Sequence, residues 1–135
     1  MNYYSPQKLM VERLRARLPA SLPVRTAVDV AQIKDQALGQ PEVWVVFHRD
    51  MVHDTGGNQT LVEQQLAAVY LAPGVLPDLE RDGEALTAMT KALAGYDADE
   101  PGMGEFKRVG SMVPQSWDDV NLIAYGMLFS VVLDL

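Results

Sequence analysis

Apolar residues recur at helical spacing near the start of the chain. Met10, Val11, Leu14 and Leu18 fall along one stripe while Arg13, Arg15 and Arg17 point elsewhere, which predicts an amphipathic helix. Ser5 offers a cap, and Pro6 suits the first helical position, where its missing N–H costs nothing. Pro19 ends the element. Val24 to Val28 then reads as a short edge strand, and Asp29 to Leu38 as a short helix closed by Gly39.

The pattern next changes to that of a sheet. Glu42 to His48 holds the unbroken run Val43-Trp44-Val45-Val46-Phe47, as expected of a strand covered on both faces. Thr60 to Leu71 places Val62, Leu66, Ala68 and Tyr70 on one face and Leu61, Glu63, Gln65 and Val69 on the other. Arg49 to Gln59 lies between them and reads as a long hairpin loop, with Gly56-Gly57-Asn58 as its turn residues. Hairpin loops of this length are more often functional than two-residue turns.

A second long helix is predicted from Leu79 or Arg81 to Ala94. Leu86, Met89 and Leu93 form its stripe, Ala85, Ala88 and Ala92 permit close packing, and Gly95 closes it. Residues 97–104 read as a flexible acidic loop, Phe106 to Val113 as a strand stopped by Pro114, and Gln115 to Asn121 as a connection. In the last strand Ile123, Tyr125, Met127, Phe129, Val131 and Leu133 share a large apolar face. Leu122, Ala124, Gly126, Leu128, Ser130, Val132 and Asp134 share a smaller, mixed one. This order predicts one α+β domain over 1–135, with a mostly antiparallel four- or five-stranded sheet and two main helices packed on one face.

Charge adds an asymmetry to that picture. The 135 residues carry 18 acidic and 11 basic side chains, a formal net charge of −7, and no cysteine. Residues 1–67 are balanced, so the whole excess lies in 68–135, most of it between Asp78 and Glu105. The first helix is basic, with Lys8, Arg13, Arg15 and Arg17 against Glu12. Unlike faces of this kind suit contact between copies, although two solvated helix faces explain the charges equally well. The acidity argues against a free-standing nucleic-acid binder, and the lack of cysteine excludes disulfides and thiol chemistry. The start lacks the pattern of a signal peptide, and Leu122 to Leu133 is too short for a membrane helix, so no membrane partner is expected.

Candidate chemistry is sparse. His48 and His53, with Asp50 or Asp54, are the best candidates for a metal or acid–base site, yet no helix sets them one turn apart and polar loop residues are the stronger reading. Asp118 and Asp119 point apart in extended chain. Phosphate-binding glycine loops and a serine nucleophile elbow are missing from the sequence. No catalytic, cofactor or metal residues are therefore assigned. Interaction is the better expectation, carried by Met51, Val52, His53 and Asp54 of the hairpin, Arg13 and Arg17 of the first helix, and Val132 and Asp134 of the last strand.

The opening helix from Leu9 to Leu18, then PEVWVVFHRD, VEQQLAAVYLA, GEALTAMTKALAGYD and the closing LIAYGMLFSVVLDL together resemble the tail terminator (tail-completion) proteins of long-tailed phages and prophages. Tyr96 stands where those families more often have Trp. The resemblance implies a ring, a hexamer, that caps the tail tube, ends its polymerisation and offers a head-joining surface, without catalysis or cofactor. The implied partners are further copies of the chain, the tail tube protein and a connector or neck protein. The implied location is the head-proximal end of the virion tail, after assembly in the host cytoplasm. DNA would pass through the lumen unbound, and the carboxylates between Asp78 and Glu105 would repel its phosphates if they faced inward. Three other readings compete: another neck or head-closure protein, a small metal-dependent hydrolase using His48 and His53, and a bacterial binding module unrelated to phage.

Overall fold

A computed structural model describes residues 1–27, 39–53, 60–74, 76–112, 114–117 and 121–135. The elements in chain order are α1 (Ser5–Arg17), β1 (Val24–Ala27), β2 (Glu42–His53), β3 (Leu61–Pro73), α2 (Leu79–Leu93), β4 (Lys107–Ser111), β5 (Gln115–Trp117) and β6 (Leu122–Asp134). They form the expected α+β fold. The sheet runs β1-β2-β3-β6-β4, with β5 also pairing β6, and every pair is antiparallel except β1 with β2. None of the helices among the described residues is long and apolar enough to cross a membrane.

Both helices lie on one face of this sheet. Met10, Val11, Leu14 and Leu18 of α1 and its exit meet Met89, Ala92 and Leu93 of α2 over Val43, Val45, Leu66, Ala68, Tyr70, Met127 and Phe129. The large apolar face of β6 is thus the one that the helices cover. On the opposite face Trp44, Val46, Ala67, Val69, Leu71, Leu122 and Ala124 form a second buried cluster. Two covered faces explain why β2 begins as an unbroken apolar run.

Several local expectations change. Ser5 does not cap α1: the helix begins at Ser5 after Tyr4, without a side-chain cap, and the Ser5 hydroxyl accepts from the Asn2 N–H at 2.8 Å. Asp78 caps α2 instead, accepting from the Arg81 N–H at 3.0 Å, and Gly95 ends that helix at φ +74°. The sheet has six strands because Gln115–Trp117, read as a connection, pairs with Leu122 to Ala124. Three residues are too few for an alternating pattern to register.

The segment at 97–104 is tied down at its far end. Met103 bridges Leu133, the Gly104 N–H donates to the Val132 carbonyl at 2.9 Å, and the Asp134 N–H donates to Gly102 at 2.8 Å. Gly102 has φ +80°, and a Cβ there would stand 2.9 Å from the Asp134 carbonyl oxygen, so this approach requires glycine. The predicted helix from Asp29 to Leu38 lies outside the described residues.

The largest change concerns the hairpin. Arg49 to His53, expected in the loop, continues β2 as strand against Leu61 to Gln65. The register shifts between Phe47 and Arg49, and this bulge reverses the parity of the strand beyond it. Asp50 and Val52 consequently take the helix-bearing face, beside Gln64 and Val62. Arg49, Met51 and His53 take the other. Polar residues at an exposed end hid this extension from the hydrophobic pattern.

Candidate assembly interface

The far end of the sheet brings together residues nominated from separate parts of the chain. On the face away from the helices, Met51, Glu63 and Val132 form one cross-strand row, and His53, Leu61 and Asp134 form the next. Arg49, Gln65, Ser130 and Lys107 form a third. Directly opposed residues on antiparallel strands have touching side chains, so each row is a physical unit. Met51 is 41% exposed and Val132 is 43% exposed, and they flank Glu63 from either side.

Glu63 organises this surface. Its carboxylate accepts from the Ser130 hydroxyl at 2.6 Å and meets His53 Nε2 at 3.4 Å. The Ser130 hydrogen bond holds the Glu63 carboxyl below its usual range; partial burial opposes this, while His53 and Arg49 assist. Arg49 donates to Gln65 Oε1 at 3.0 Å beside it. Two exposed apolar side chains therefore border a fixed negative charge, and the arrangement suits a protein surface that offers apolar and basic groups. Neither Glu63 nor Ser130 was nominated from the sequence, because the pairing that joins them spans 67 positions.

The other nominated residues sit apart. Val52 is 70% exposed on the helix-bearing face, although its row partners Val62 and Leu133 are buried. Asp54 lies outside the described residues. Arg13 is engaged within the subunit: it donates to the Ala92 carbonyl at 3.0 Å, and its guanidinium lies 4.4 Å from the centre of the Tyr96 ring. Arg15 likewise donates to the Val24 carbonyl at 2.8 Å. Only part of the basic character of α1 is thus presented outward, with Arg17 exposed in its last turn.

Among the described residues, the histidine site does not come together as a hydrolase would need. His48 falls at the bulge, and Asp50 and His53 lie on opposite faces of β2. Among the described residues no group of three or more His, Asp or Glu side chains is placed to hold a metal ion.

Acidity at the start of α2 has a structural share. Asp82 is only 3% exposed and accepts from the Tyr70 hydroxyl at 2.7 Å, the Asp78 N–H at 3.0 Å and Arg81 Nε at 3.1 Å. Burial, then the Asp82 carboxylate, push the Tyr70 phenol up from its ordinary range.

No family model matches the chain, and no curated protein matches it. Among solved structures, a chain from the virion of a native gene transfer agent (GTA) particle is similar, with a TM-score of 0.63 and 14% sequence identity. The match covers 99% of this chain and 100% of that one, so the likeness is of the entire fold.

Proposed function

We propose that this protein is a virion structural subunit, and specifically a tail terminator that forms a ring on the end of a tail tube and stops its growth. The observation that carries this reading is the end-to-end likeness of fold to a chain of a gene transfer agent virion. The resemblance of the five sequence segments to tail terminators narrows it further. In this reading the Met51–Glu63–Val132 surface meets the tube or the neck, and six copies close the ring. Phage DNA passes through without specific contact.

The test is the mass of the purified protein across a range of concentrations, alone and with tail tubes, together with electron microscopy of tube lengths. Rings on tube ends and tubes of limited length are the expected result. A subunit that stays monomeric at every concentration, even with tubes present, overturns it. Capture by a connector protein with no affinity for tubes moves the assignment to a neck protein.

A further inference from the structure

The helix-bearing side of the molecule has complementary features at its two opposite edges. At the β2 edge, β1 pairs only with Val43 to Val46, so Arg49 to His53 has a partner strand on one side only among the described residues. There Asp50 and Val52 stand exposed on the helix-bearing face. At the β4 edge, α2 and the sheet enclose a groove of about 430 Å³, lined by Leu86, Thr90, Lys91, Arg108, Met112 and Met127 among others. On the helix-bearing side the groove walls are apolar along Leu86, Tyr125 and Met127, and Lys91 and Arg108 add two cations to the lining.

Those cations are unusual for their surroundings. Residues 68–135 contain four basic side chains against eleven acidic ones, and two of the four border this groove. Arg108 is held there by donating to the Gly110 carbonyl at 2.9 Å and to the Ser111 hydroxyl at 2.7 Å, whereas Lys91 is exposed on the last turn of α2. A positive, apolar cleft in an acidic half complements in sign a strand edge that presents Asp50 beside Val52. Because the two lie at opposite edges of one sheet, they cannot meet within a subunit. They can meet head to tail between copies, the heterologous contact from which rings are built.

We infer that the β2 edge of one subunit docks in the α2–β4 groove of the next, with Val52 entering between Leu86 and Tyr125 and Asp50 facing Lys91 and Arg108. This rests on the ring reading above and names its subunit contact. Burial of Val52 supplies the apolar anchor, and the charge pairing fixes which copy leads and which comes after.

The chain lacks cysteine, so engineered pairs report without background. Val52→Cys and Thr87→Cys, both at exposed positions and the latter on the groove wall, are prepared separately and then mixed under mild oxidation. Cross-linked dimers are expected in the mixture and not in either variant alone. Asp50→Lys and Lys91→Glu should each raise the concentration needed for assembly about tenfold or more, and the double variant should recover most of the loss. If rings form but the mixture gives no cross-link and Asp50→Lys assembles like the parent, the contact lies elsewhere and the proposal falls while the ring reading stands. If the parent never leaves the monomer with tubes present, both fall.

Discussion

The Tyr70 hydroxyl donates to Asp82 Oδ1 across 2.7 Å, joining the last part of β3 to the first turn of α2. Asp82 also accepts from the Asp78 N–H and from Arg81, so one carboxylate holds both the sheet and the start of the helix. Asp82→Ala should cost about 2–4 kcal/mol, since it strands a buried hydroxyl and frees the cap. Urea unfolding measures the loss. Tyr70→Phe should cost only about 1 kcal/mol.

The same pair predicts an alkaline signature. The phenol titrates higher in the folded chain than in the unfolded one, where its value is about 10. Its contribution is therefore complete below that pH and is lost as pH rises through the folded value. The stability difference between the parent and Tyr70→Phe should stay flat up to about pH 10 and shrink above it. Unfolding curves at stepped alkaline pH check this.

Arg13 and Arg17 should behave differently despite their shared charge. Arg13→Ala removes the bond to the Ala92 carbonyl and the contact with the Tyr96 ring, at a cost of about 1–2 kcal/mol. Arg17→Ala should change stability by less than about 0.5 kcal/mol. Equal losses in a denaturant series would contradict the internal role of Arg13.

Ser130→Ala tests the charge at the far end of the sheet. The folded Glu63 carboxyl lies below its usual range chiefly because of Ser130, so its contribution is present at neutral pH and is lost as pH falls through the lowered value. Removing the hydroxyl should return Glu63 toward the ordinary carboxylate range, visible by NMR titration. The stability gap between parent and variant should narrow in acid.

Met51→Lys with Val132→Lys should leave stability nearly unchanged, because both side chains are substantially exposed and both stand opposite the Glu63 carboxylate. On the tail-terminator proposal, binding to tail tubes should be lost. Unimpaired capping of tubes by this double variant would remove that face from the tube contact.

Where burial imposes a period, the elements could be read directly. The stripe of Leu86, Met89 and Leu93 defines α2, and the alternation from Ile123 to Leu133 defines β6 and the face it buries. His48 to His53 has no such period, because it is an exposed strand whose conformation comes from β3 rather than from its own side chains. The bulge that decides which face Met51 takes and which Val52 takes is a matter of register, which single residues do not encode. Arg13 and Asp82 look like ordinary surface charges in the chain. Their partners Ala92, Tyr96 and Tyr70 become neighbours only when the two helices settle on the sheet.

Among the described residues β1 pairs β2 as far as Ala27 and Val46, while β2, β3 and β6 lie side by side out to His53, Leu61 and Asp134 at one end of the sheet. A rotationally symmetric set of such subunits would carry every copy of that three-stranded end on the same rim. Its two rims would then be chemically different objects, and neither could substitute for the other. Such a ring would fit one way round, with the direction written by which end of the sheet the three strands share.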